Sequence, residues 1–408
     1  MRIHFHALPM LLAATLLAGC EPVEEAPPAP PPSAEEAFRL QVETASPGSV
    51  IEVPAGTLRL QRGLVLNTDG VTIRGAGMDQ SILSFKGQLA GAEGLLVTAS
   101  DFTIEDLAIE DTAGDALKIT DGRNITVRRV RAEWTGGPST ENGAYGIYPV
   151  QTENTLIEGS VAIGASDAGI YVGQSRNVVV RDSRAEFNVA GIEIENTVHA
   201  DVFGNVATNN TGGILVFNMP DLPEEGHSTR VFNNRVVDNN TANFGIPGSA
   251  VAGVPAGSGI LINANDRVEV FDNEIRNNQT ANVLISSYFS ANYTGERKVV
   301  ETFDPYPETL LILGNTFGLG GGAPDHEGLE AVRVALFGAE GHLPDVVWDG
   351  VRHPERTAAE FAICVDNAPA DVLNVDGANG YASPSVVTSE HQCSHPRLGP
   401  VELAGGAA

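Results

Sequence analysis

The chain has 408 residues, 42% of them hydrophobic and 19% charged, enough for one large elongated domain or two ordinary ones, and a composition that excludes global disorder. Its 52 acidic against 24 basic residues leave a formal charge of −28, so a polyanion meets a repelling field. This argues against nucleic acid as a partner, and against an anionic polysaccharide unless a cation such as Ca2+ offsets the charge. No other cofactor is expected.

Residues 1–19 read as a signal peptide: Arg2 in a short basic region, an apolar run from Ala7 to Leu17 too short to span a bilayer, then Leu17-Ala18-Gly19-Cys20. The last four form a lipobox, and cleavage there makes Cys20 a diacylated N-terminus anchored in a membrane; an ordinary signal peptide is the alternative. Glu21 stands where an inner-membrane retention signal carries Asp, which points to the outer membrane of a Gram-negative cell, facing the periplasm or the cell surface. Residues 20–32 are the lipidated cysteine and a Pro-rich tether with no core-forming residue beyond one valine. Residues 33–60 form an N-terminal cap: Ser33-Ala34-Glu35-Glu36 is a capping box opening an amphipathic helix to about Val42, followed by a strand at Val50-Ile51-Glu52-Val53.

Residues 61–291 repeat. A small residue before a short apolar strand recurs at Gly94, Ala116, Gly146, Gly169, Gly191, Gly213, Gly259 and Asn282, with undisturbed steps of 22 or 23 residues and longer ones where loops are inserted. One turn column holds Asp106, Arg129, Gly159, Asp182, Asn205, Asn234, Asn273 and Asn315, and another Asn188, Asn210, Asn240 and Asn278. Asn tolerates left-handed turns and its amide can bond the Asn one layer on. The leucine-rich consensus is missing and propeller blades are about twice as long. The fold expected is all-β, a right-handed parallel β-helix whose coils lie about 4.8 Å apart. Pairs such as Ile170 and Val172, or Ile192 and Ile194, point inward, and no coil buries its face alone. Residues 292–408 lose the period but keep strand pieces at Leu310 to Leu313 and Val372 to Val375, giving irregular final turns and a C-terminal cap. Cys364 and Cys393 are the cysteines left once Cys20 is lipidated, so an oxidising compartment favours a disulfide over two free thiols.

The runs Ala144-Tyr-Gly-Ile-Tyr-Pro-Val-Gln151, Gly164-Ala-Ser-Asp-Ala-Gly-Ile-Tyr-Val-Gly-Gln-Ser175, Val189-Ala-Gly-Ile-Glu-Ile-Glu-Asn196 and Thr211-Gly-Gly-Ile-Leu-Val-Phe217 resemble the bacterial exported parallel β-helix repeat proteins, which are often encoded beside a c-type-cytochrome-like lipoprotein. The resemblance covers most of the mature chain and implies no established activity. The fold it implies is similar to that of polysaccharide lyases, pectin-type glycosidases and mannuronan epimerases, which does not fix function.

Alternation along a strand sends the second residue after each small residue outward. The outward columns read Lys118, Tyr148, Tyr171, Glu193, Leu215, Leu261 and Thr120, Val150, Gly173, Glu195, Phe217, Asn263, with Asp121, Gln151, Gln174, Asn196 and Asn218 at the turn and Asp167 at the border. Glu193, Glu195 and Asp167 are the candidate catalytic acids. Glu193 and Glu195 sit about 6.5 to 7 Å apart along the strand, close enough for one to raise the other's pKa, and Glu193 with either Glu195 or Asp167 could meet the spacing for inverting glycoside hydrolysis. Tyr148 and Tyr171 are expected to stack as a sugar platform, while Gln151, Gln174 and Asn196 match hydroxyls and Lys118 is the one basic candidate. Insertions at 132–143 with Trp134, at 219–228 and at 241–257 surround this patch. Two functions fit: a protein that binds, and cleaves or modifies as a hydrolase, lyase or epimerase, a neutral or weakly charged carbohydrate; or a non-catalytic scaffold docking a partner, such as the cytochrome-like lipoprotein, on an apolar strip of Leu215, Leu261, Leu284 and Phe217. His391-x-Cys393-x-His395 can be read as metal ligands, but the disulfide is the favoured use of Cys393, so no metal site is assigned, and there is no Cys-x-x-Cys-His for haem. Gly75-Ala76-Gly77 and the glycines at 318–322 lack a nucleotide-binding context.

Overall fold

The computed structural model describes residues 33–290, 303–357 and 362–404. The signal peptide, Cys20 and the tether lie outside the described residues.

Ser33 accepts a hydrogen bond from the Glu36 backbone while Glu36 reaches back to the Ser33 N–H, and this reciprocal cap opens helix α1 (Ala34–Glu43). Its buried residues, Phe38 and Val42, join the hydrophobic core and close one end of the coil. An open end would expose unpaired strand edges.

Beyond α1 the chain winds through two parallel sheets. The aligned small residues and their strands stack in register: Leu95 pairs with Leu117, Leu117 with Ile147, Ile147 with Ile170, Ile170 with Ile192, Ile192 with Ile214, Ile214 with Ile260 and Ile260 with Val283. Together they build one sheet, and the strands between them build the other. Ile170, Val172, Ile192 and Ile194 are fully buried in the same apolar core. Each such side chain, buried, stabilises by about 1.5–3 kcal/mol relative to exposure.

The turn columns separate into two neighbouring positions. Left-handed backbone falls on Arg129, Gly159, Asp182, Gly204, Asn233, Asp272 and Gly314. The next residue carries the ladder. Asn205, Asn234, Asn273 and Asn315 each pass a side-chain amide hydrogen bond to the following one at 2.9–3.1 Å, ending on Asn367. A second ladder joins Asn188, Asn210, Asn239 and Asn278. The expected Asn240 is therefore one residue off: it holds Asn277 and Gln279 instead. One residue cannot easily take the left-handed turn and also aim its amide down the axis, so the two tasks fall on adjacent positions.

The coil continues past residue 303. Leu310–Leu313 and Ile363–Asp366 extend one sheet, and Val346–Trp348 and Val372–Asn374 the other, all in parallel register. Helix α2 (Glu327–Phe337) lies in an insertion between them and packs Leu329 and Val332 against Val347 and Leu373. Cys364 and Cys393 form a disulfide. Both histidines of the skipped triplet bind backbone carbonyls, His391 that of Ile363 and His395 that of Ala362. The tail then runs back across the coil, where the Leu398 and Val401 N–H groups donate to Glu269 and Asp201.

Candidate functional site

Three strands, Tyr145–Val150, Ala168–Gly173 and Ala190–Glu195, present their outward residues to one place. Register sets Tyr148 beside Lys118, Tyr171 beside Glu193 and Gly173 beside Glu195. Tyr145, Tyr148 and Tyr171 cluster with ring centroids 4.3 to 5.0 Å apart. Tyr148 meets Tyr171 edge-on at 86° rather than stacked, because a positive ring edge prefers a negative ring face. Lys118 Nζ lies 5.0 Å over the Tyr148 ring and 3.8 to 4.0 Å from Asp115 and Glu93.

Gly173 makes room for the next contact. A Cβ there would stand 2.3 Å from the Tyr171 hydroxyl, so only glycine lets that ring lie along the strand and donate its hydroxyl to Glu195 Oε1 at 3.0 Å. Tyr148 and Glu195 are half-buried, whereas Tyr171 is 3% and Glu193 1% exposed.

Glu193 and Asp167 lie behind this half-exposed rim. Burial pushes both carboxyls far above the usual range; repulsion from Asp167 and then Glu195 adds to it at Glu193, and from Glu195 and then Asp115 at Asp167. Glu193 also hydrogen-bonds Glu195, and its Oε2 has no hydrogen-bond partner among the described residues. Two carboxyl groups in such contact must share a proton. Asp115 is pushed up to about 6 by burial, with Lys118 pulling the other way. Burial raises Tyr148 to about 12 and lifts Tyr145 and Tyr171 as well, so these phenols stay protonated near neutrality and serve as hydrogen-bond donors, not as bases.

Several expectations change here. Glu193 and Glu195 interact directly through a hydrogen bond rather than standing apart along the strand. Asn196 is fully buried and fastens the 219–228 insertion, donating to the carbonyls of Met219 and Glu224. Gln151 and Gln174 stay at the turn, 3.4 Å apart, and line a shallow groove with Asp121, Arg123, Arg176 and Glu224. Trp134 is 5% exposed and donates to the Thr112 carbonyl, so it belongs to the core. The apolar strip is covered as well: Leu215, Phe217 and Leu261 are at most 5% exposed, packed under Val251 and Val254 of the 241–257 insertion. Leu284 contacts both that cluster and the one beneath α2. A rigid face that looked open was roofed by the chain's own loops.

Glu93, Asp115 and Tyr145 escaped the alternation argument. A Cβ on Gly146 would point at the interior Ala132 and Ala162, so the small residue and the aliphatic after it both face inward. That break sends the residue ahead of the small one outward. Glu93, Asp115, Tyr145, Ala168 and Ala190 form this column, and reading one position upstream of the repeat marker would have found it.

Residues 63–222 match the family model described as a right handed beta helix region. No curated protein matches the chain. Among solved structures it is similar to the A-module of the Azotobacter vinelandii mannuronan C-5 epimerase AlgE4 (19% identity, TM-score 0.46, covering 68% of this chain and 81% of that one). It is also similar to the pectate lyase Pel9A (12%, TM-score 0.42, 69% and 71%) and to the DFA-IIIase from Arthrobacter chlorophenolicus A6 (11%, TM-score 0.45, 76% and 86%). At these identities the likeness is one of fold alone. The stacked register, the asparagine ladders and the matched region together make this chain a right-handed parallel β-helix.

Proposed function

We propose that the chain is an exported, lipid-anchored protein that binds a neutral or weakly charged glycan at the Lys118/Tyr148/Glu195 rim and acts on it by proton donation. The observation that carries this reading is the buried pair Asp167 and Glu193 behind the half-buried Glu195, packed against three tyrosines, with Glu193 and Glu195 sharing a proton. Folding has no need of it, since apolar residues of like volume would serve a β-helix face better. Carboxyls kept neutral near pH 7 are a recurrent device for donating a proton or a strong hydrogen bond. In this reading Tyr145 and Tyr148 offer ring faces and edges to a sugar, and Lys118, held by Asp115 and Glu93, contacts its hydroxyls. Glu193 stores the proton and the half-exposed Glu195, oriented by the Tyr171 hydroxyl, delivers it. The acidic surroundings disfavour a uronate polymer.

The test is binding and turnover of a panel of neutral and uronate glycans by the purified chain, with Glu195→Gln and Tyr148→Ala alongside. Saturable binding that Tyr148→Ala weakens at least tenfold, with product formation abolished in Glu195→Gln, is expected. Binding unchanged in both folded variants would remove the site from this face. Docking of a cytochrome-like partner has no comparable support, because the strip assigned to it is covered.

A further inference from the structure

A second acidic cluster lies outside the trio, where the 219–228 insertion meets the segment entering Leu310–Leu313. Asp266 opens the strand Asp266–Phe271. Its Oδ1 accepts from the Glu308 N–H at 2.9 Å, and Arg267 N–H donates back to the Glu308 carbonyl. Asp304 is fixed from both sides: its N–H donates to Glu225 Oε1 at 2.8 Å, and its Oδ1 accepts from the Tyr306 N–H at 3.1 Å. One ligand oxygen from each of Asp266, Asp304 and Glu308 falls within 4.8 Å of the others. Two oxygens on a common Ca2+, each bound at about 2.4 Å, are at most about 4.8 Å apart.

A ligand is indicated independently by Glu308. It is 3% exposed. One of its oxygens takes the Arg356 guanidinium, which also reaches Asp304, while Oε1 is buried with no hydrogen-bond partner among the described residues. A buried carboxylate oxygen left without a donor costs a large part of its hydration. Among the described residues, Arg356 and Arg267 are the cations acting on this group of four carboxylates, counting Glu225, which leaves the cluster with a negative excess.

We propose that Asp266, Asp304 and Glu308 hold one Ca2+, with water completing its shell, and that the ion ties the 219–228 insertion to the coil through the Glu225–Asp304 contact. The hard, all-oxygen donor set selects Ca2+ over softer metals, and carboxylates brought together from separate segments suit the flexible shell of Ca2+ better than the near-ideal octahedron that Mg2+ demands. The positive charge of the ion offsets the excess that Arg356 and Arg267 leave.

Calorimetric titration of the chelator-stripped full chain with CaCl2 at physiological salt, with MgCl2 in parallel and thermal unfolding followed by circular dichroism, tests this. One saturable Ca2+ step is expected, stronger than any Mg2+ step, with an unfolding midpoint several degrees higher in Ca2+. Asp266→Asn and Asp304→Asn should each lose the step and the thermal shift. Should those variants fail to fold, Arg356→Gln decides: it keeps every carboxylate, and removing the competing guanidinium should tighten Ca2+ at least severalfold. No saturable step in either the parent or Arg356→Gln, or an unchanged step in the folded Asp variants, overturns the site.

Discussion

Replacing Asp115 by Asn tests the electrostatics of the rim. The folded-state pKa of Asp115 is raised from 3.8 to about 6, so between those values the native state binds more protons than the unfolded one. Stability is therefore lost as pH rises through this window, and the penalty is present in full above about pH 6. A displacement of this size, at about 1.4 kcal/mol per pH unit, corresponds to roughly 3 kcal/mol. Asp115 is mostly buried, with 15% of its side chain exposed, so solvent screening takes little from that figure. The amide keeps the acceptor for the Tyr145 N–H and cannot ionise. Urea unfolding of both proteins from pH 4 to pH 8, followed by circular dichroism, should show near-equal stability at pH 4 and an Asn variant more stable by roughly 3 kcal/mol at pH 8. Carboxylates away from the rim cancel in the difference, and relief of the Asp115 repulsion on Asp167 adds in the same direction. A gap independent of pH, or an Asn variant that loses stability relative to the parent as pH rises, would mean that Lys118 offsets or outweighs burial and would refute the reasoning.

Glu193→Gln should shift stability in the same direction, gaining on the parent as pH rises, because its carboxyl is also held protonated by burial and like charge; urea unfolding at pH 5 and pH 8 reads it. Asn210→Ala removes the acceptor of the Asn188 N–H and the donor to the Ala185 carbonyl, both buried, and should cost about 3–5 kcal/mol in the same assay. Gly173→Ala forces the Tyr171 ring off its seat and should destabilise by about 1–3 kcal/mol while weakening glycan binding, a loss that Val179→Ala on the other sheet should not reproduce. Cys393→Ser opens the link between residues 29 apart and should lower stability by roughly 3–4 kcal/mol on the chain-entropy model.

The sequence by itself determined the coil. A period of 22 or 23 residues with a small residue ahead of each apolar strand leaves the β-helix as the solution, because each face is buried only by the next repeat. The same regularity located Tyr148, Tyr171, Glu193 and Glu195 on one outward face, since register is fixed wherever a row of Ile and Val must stay inside. It also exposed the capping box at Ser33 and paired Cys364 with Cys393. What only the tertiary structure decided lies where the chain leaves the period. Insertions carry no repeat, so nothing local told that residues 241–257 would fold down over Leu215 and Phe217, or that 219–228 would be gripped by Asn196. Strict alternation also fails at a corner, where Gly146 and Ile147 both turn inward and bring Tyr145, Asp115 and Glu93 to the rim. The protonation of the site follows from the same roofing. A carboxylate on an open face is solvated and stays charged, but under a lid of tyrosines and valines it must find a proton, a cation or a partner.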